Sequence, residues 1–152
     1  MKVKQRISEI EEAIDELEKL FLMDEESFLR SRTARFSARY SIVQVVEAAA
    51  DIGLHVLERR FNESPESYRD VFRKLALHGI VSPNTAEEMS KLAGLRNVVV
   101  QRYWDVDDLR IYREAKSNGL ESLRRFLKEV MSNLPEEARG SYEVLLPQAR
   151  GG

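Results

Sequence analysis

The chain has 152 residues, 43% apolar and 33% charged, with a formal net charge of −2 and no cysteine. That length and composition suit one globular domain with a real core. They exclude a polyanion-binding surface spread over the whole molecule, and they exclude disulfides and thiolate metal sites. No apolar run approaches the ~20 residues of a bilayer span. The acidic, amphipathic N-terminus is unlike a signal peptide, so a cytoplasmic location is expected.

Helical periodicity dominates the chain. Ile7, Ile10, Ile14, Leu17, Leu20 and Phe21 recur at steps of three and four, which predicts a first helix over 3–23. Asp24 suits a cap for a second element, with Glu25 and Glu26 at the positive end of its dipole. From Thr33 to Phe61, Phe36, Tyr40, Val43, Val46, Ala50, Leu54 and Leu57 keep the helical period. Gly53 interrupts good helix formers there, and close helix packing is a reason to keep it. Ile42, Val43, Val45 and Val46 put apolar groups on more than one face, so a partner helix from a second subunit, and hence a homodimer, is expected.

"NESPES" ends that helix. Ser64 with Pro65 predicts the next start, and Gly79 its left-handed end. Ser82 and Pro83 repeat the device for a helix carried to about Trp104. Asp105 is the expected cap of the last helical region, with Asp107 and Asp108 in its first turn, and Asn118–Gly119 is expected to kink or split that region. The reading is an all-α four-helix bundle over 1–133 with short additional helices, followed by a tail over 134–152.

The segment "AGLRNVVVQRYWDVD", 93–107, concentrates cationic, polar and aromatic groups. On a helix, Arg96 and Tyr103 fall on nearly one face, and so do Asn97 and Gln101. Arg96 and Gln101 are about 140° apart, within reach of converging side chains near a helix end. Taken alone, the stretch also suits a helix end with a surface arginine and packed aromatics. Trp104 suits either packing or stacking on a base. Arg30, Arg32, Arg35 and Arg39 suit either a phosphate track or a solvated face balanced by Asp24, Glu25 and Glu26. Arg102 is the better cation by position. His55 and His78, the only histidines, are too few for a metal site; His78 suits a helix C-terminus.

"GLRNVVVQRYWDVD" resembles the signature of HEPN-domain ribonucleases, the HepT toxin family in particular: Arg, four residues, His, one residue, Tyr. Arg96 and Tyr103 stand at the outer positions, Asn97 matches the Asn that often follows the Arg, and Gln101 replaces the His. "EIEEAIDELEKL", "VEAAADIGLHVL", "SPESYRDVFRKLALHGIVSP" and "AEEMSKLAGLRN" are similar to HepT in the same order, over about 2–131. The resemblance implies a HEPN bundle and a dimeric, metal-independent endoribonuclease that needs no cofactor. In it the RNA 2′-hydroxyl attacks its own phosphate in a cleft between two subunits.

Arg96 would hold the phosphoryl oxygens, Asn97 would position the phosphate, and Tyr103 would hydrogen-bond the site. Arg102, Arg35 and Arg39 would bind RNA. Tyr103 would also receive AMP from an MntA-type nucleotidyltransferase antitoxin. Gln101 cannot take up a proton, so cleavage is expected to be weak or absent. Either a deliberate substitution or natural degeneration explains it. The other function class is a non-catalytic HEPN protein that binds RNA, nucleotide or the nucleotidyltransferase.

Overall fold

The computed structural model describes residues 3–133; the tail over 134–152 lies outside them. The order is α1 (Val3–Leu20), α2 (Glu25–Arg30), α3 (Arg32–Phe61), α4 (Tyr68–Leu77), α5 (Pro83–Gln101), α6 (Asp108–Glu114), a π-helical turn (Ala115–Gly119) and α7 (Leu120–Ser132). The all-α expectation holds, and no strand occurs among the described residues.

α3 is the central element. α1 runs antiparallel to it, tied by Glu16 to Ser37, Glu12 to Gln44 and Arg6 to Asp51. Between them lie Ile7, Ile10, Ile14 and Leu17 from α1 with Ala38, Ile42, Val45 and Val46 from α3, all buried. Each large side chain so buried contributes about 1.5–3 kcal/mol. By length and composition α3 could also cross a bilayer, because Gln44, Glu47 and Asp51 do not interrupt it enough to prevent that. A buried core helix meets the same length and composition, and α3 is such a helix. In the fold 61% of that apolar window is buried by the other helices.

Gly53 does what close packing requires. A Cβ there would stand 2.6 Å from Val71 Cγ1 and 2.9 Å from Leu75 Cδ1, so α4 crosses α3 at this residue. Asn62 then takes a left-handed conformation and ends α3.

Local capping chemistry sets the other boundaries. Asp24 accepts from Ser27 N–H at 2.8 Å, as expected. α4 starts at Tyr68 and not at Pro65, because Ser67 accepts from Asp70 N–H at 3.0 Å while Asp70 accepts from Glu66 N–H at 3.0 Å. That Ser-x-x-Asp capping outweighs the Ser64–Pro65 signal. Gly79, at φ +74, closes α4 as expected. Ser82 caps α5 through Thr85 N–H, with Pro83 in the first turn.

α6 is capped by Asp107, which accepts from Arg110 N–H at 3.1 Å, and not by Asp105. At Asn118–Gly119 the helix does not break; it widens into one π turn and continues as α7.

Candidate functional site

α5 brings Arg96 against α3 and α4. The Arg96 guanidinium donates from Nη2 to Glu47 Oε2 at 2.8 Å and from Nη1 to Asn97 Oδ1 at 3.1 Å. Its centre lies 4.8 Å from the centroid of the Tyr68 ring. These three contacts immobilise a side chain only 17% exposed, while Glu47 is 45% exposed. Arg96 has five N–H donors, so others remain for an incoming oxyanion.

Beside it is a cleft of about 360 Å³, lined in part by Leu54, Pro65, Tyr68, Val71, Arg96 and Asn97. Asp51 and Glu66 stand at its polar side. Pro65, expected to open a helix, instead forms part of this wall.

α5 runs antiparallel to α3. Arg96 meets Glu47, and Asp108 meets Arg39 about two turns nearer the start of α3. The rest of the motif lies between these two ties. Gln101 is the last residue of α5 and is exposed. Arg102 leaves the helix at φ −134, ψ 46 although its N–H still bonds Val98 O. The preceding valines, Val98 to Val100, are weak helix formers, and the Arg102 carbonyl accepts from Asp105 N–H at 2.9 Å in a turn. The expected shared helical face of Arg96 and Tyr103 is therefore replaced by a loop. Tyr103 is 69% exposed and meets Trp104 edge to face, with ring centroids 5.3 Å apart.

The structure thus brings Arg96 and Asn97 together at the cleft and sets Gln101, Arg102 and Tyr103 in solvent at the end of α5. Arg102 contacts Asp105 at 3.2 Å. The arginines of α2 and α3 do not form a row of unpaired cations. Arg39 grips Asp108 with two hydrogen bonds, Nε to Oδ1 at 2.8 Å and Nη2 to Oδ2 at 2.6 Å. Arg35 lies 3.7 Å from the same carboxylate, and Arg30 pairs with Glu26. Arg32 sits 4.8 Å from the Phe36 ring centroid. The guanidinium of Arg39 is held above its ordinary pKa by its hydrogen bond to Asp108, against the opposing effect of burial.

His78 contacts Glu63 at 2.5 Å and stacks on Phe61 at the end of α4. Burial, and then Arg59, hold the His55 imidazole below its ordinary pKa. Among the described residues no group of three His, Asp or Glu side chains could hold a metal ion.

Sequence reasoning passed over Glu47 and Tyr68. Glu47 had a signal: a carboxylate in "VVEAAAD", on the most apolar helix, calls for a cationic partner. Tyr68 had none, since its meeting with Arg96 depends on how α4 folds back over α3.

A model of the Ribonuclease HepT-like family matches residues 10–130. The chain is 25% identical over 122 residues to the mRNA nuclease HepT of Shewanella oneidensis, covering 80% of this chain and 90% of that protein. It is 24% identical over 132 residues to the tRNA nuclease HepT of Aphanizomenon flos-aquae, covering 87% and 89%. Among solved structures, the tri-AMPylated HEPN toxin of Shewanella oneidensis in complex with its MNT antitoxin is similar at a TM-score of 0.78 and 23% identity. That match covers 88% of this chain and 99% of that one. A toxin–antitoxin structure with AMP-PNP is similar at 0.74 and 22% identity, covering 86% and 98%. At such identities the structures establish the fold, a HEPN-like helical bundle. The family match spans the helices that build the cleft and the whole motif from Arg96 to Tyr103, and the chain belongs to the Ribonuclease HepT-like family.

Proposed function

We propose that this chain is the toxin subunit of a cytoplasmic toxin–antitoxin pair, a metal-independent endoribonuclease weakened by Gln101 at the position of the motif histidine. The observation that carries the reading is Arg96: a nearly buried, always-charged fork fixed at the edge of a cleft, with donors left for phosphoryl oxygens. Asn97 shares the cleft and positions the phosphate through Arg96. Arg102, exposed and paired only with Asp105, extends the cationic surface for RNA.

The catalytic unit is a homodimer formed by residues 1–133. Phe36, Tyr40 and Val43 form one stripe along the first half of α3, and Phe36 and Tyr40 are exposed on it. Val100 and Tyr103, at the end of α5, are also exposed. Such a patch suits a second copy of the same surface. The partner protein is an MntA-like nucleotidyltransferase antitoxin, as in the complex of the similar Shewanella oneidensis toxin, and its target is the exposed Tyr103 hydroxyl.

RNA cleavage by the chain, by Gln101→His and by Arg96→Ala tests this. Gln101→His is expected to gain about 10²–10⁴-fold, the usual range for a general base, and Arg96→Ala to lose activity. Equal rates for the parent and Gln101→His would overturn it. The rival reading, a binding module, rests on the amide at position 101, which cannot accept a proton. It gains if the parent binds RNA while Gln101→His still does not cut it.

A further inference from the structure

The motif has lost its proton acceptor, but the site has not lost every base. Glu47 stands 2.8 Å from Arg96, the residue that holds the phosphate in the reading above. One carboxylate oxygen takes the arginine hydrogen bond, and the side chain is 45% exposed, so the carboxylate is open to solvent beside the arginine. It lies one turn before Ala50 and Asp51, which line that cleft.

Cyclisation of RNA needs a base for the 2′-hydroxyl next to a cation on the non-bridging oxygens, because the attacking oxygen and those oxygens are neighbours on one phosphorus. A carboxylate hydrogen-bonded to an arginine supplies both groups at that spacing. Gln101 is set apart from this pair, exposed at the end of α5.

We propose that Glu47 is the proton acceptor for the RNA 2′-hydroxyl in this chain and carries the residual cleavage that Gln101 cannot support. The inference rests on the ribonuclease reading above. In the step, the 2′-oxygen bonds to phosphorus as its proton passes to the Glu47 carboxylate. The bond from phosphorus to the 5′-oxygen breaks, and that oxygen keeps the electron pair and takes a proton from water. The hydroxide so formed takes back the proton from Glu47. The products are a 2′,3′-cyclic phosphate end and a 5′-hydroxyl end, with no metal and no net change in the protein.

A carboxylate is a weaker base than an imidazole, so the parent is a slower enzyme than Gln101→His.

The alternative role for Glu47 is to position Arg96, and the two roles separate in a four-variant cycle. Cleavage of a labelled single-stranded RNA is measured for the full chain, Glu47→Gln, Gln101→His and the double variant, each as a pH profile. Gln is isosteric and can still accept from Arg96. The expected result is that Glu47→Gln costs at least about 10-fold in the parent and much less beside a histidine at position 101. An equal loss in both backgrounds assigns Glu47 to positioning and overturns the proposal. So does a parent that does not cut at all while Gln101→His does, an outcome that leaves the ribonuclease reading standing. If neither cuts, that reading has failed and this inference with it.

Discussion

Arg39 and Asp108 close on each other through two parallel hydrogen bonds, and Asp108 is only 8% exposed. This pair fastens the start of α6 to α3, 69 residues away in sequence. Removing one partner strands a charge in a nearly buried place, which typically costs about 3–5 kcal/mol. Arg39→Ala and Asp108→Ala are each expected to lower the urea midpoint strongly, and Arg39→Met with Asp108→Leu is expected to cost less than either. A double variant less stable than both singles would show that the pair itself supplies the stability. Loss of RNA binding in Arg39 variants therefore has to be measured beside their stability.

Gly53→Ala sets two effects against each other. Alanine is the better helix former by about 1 kcal/mol. Its methyl would overlap Val71 and Leu75 of α4, and overpacking costs about 1–3 kcal/mol. The clash is with two buried side chains, so the expected net is a lower thermal midpoint. A raised midpoint would show that α4 shifts freely.

The exposed stripe on α3 predicts the assembly. Tyr40→Lys places a charge in the apolar patch and is expected to convert a dimer into a monomer in light scattering, with helical content unchanged. A parent that is monomeric at micromolar concentration would remove the dimer reading.

His55 gives the pH dependence. Its folded-state pKa is depressed, chiefly by burial. The unfolded chain therefore binds the proton more readily, and stability rises with pH between the two values. The contribution is complete above the unfolded value of about 6.5 and is lost as pH falls through the folded one. The midpoint is expected to drop between about pH 7.5 and pH 5, and His55→Gln to flatten that drop. An unchanged slope in His55→Gln would assign it to other groups.

Tyr103 is expected to be the residue that gains a nucleotide when the chain is incubated with a cognate nucleotidyltransferase and ATP. Intact-mass spectrometry reads the adduct, and Tyr103→Phe should lack it. Modification of the phenylalanine form would move the acceptor elsewhere.

The sequence makes the helical elements legible because each rests on local chemistry. The period of Ile7 to Leu20, the caps at Asp24 and Ser82 and the left-handed Gly79 depend only on near neighbours. The misplaced boundaries were contests between two local signals, such as Ser64–Pro65 against Ser67 with Asp70, or Asp105 against Asp107. Arg96 and Tyr103 were legible through the pattern of the motif. Their surroundings were not, because Glu47, Tyr68 and Arg96 meet only when three helices have packed. The partners of Arg39 and Arg35 were hidden for the same reason, since Asp108 reads locally as a helix-start acid.

The π turn at Ala115–Gly119 acts as a phase adjuster. It is one residue longer than a regular turn would need, and each residue of an α-helix advances the side chains by about 100°. Before it, Asp108, Ile111 and Tyr112 face α2 and α3, with the Tyr112 hydroxyl donating to Met23 O. After it, α7 packs on α5 and α1 with Leu123, Phe126 and Val130 buried, and Phe126 meets Phe72 of α4 edge to face. The continuous helix thus engages one set of neighbours before the π turn and another after it. Deleting a single residue from 116–118 would leave every amino acid of α7 in order and yet aim its apolar side chains away from the core.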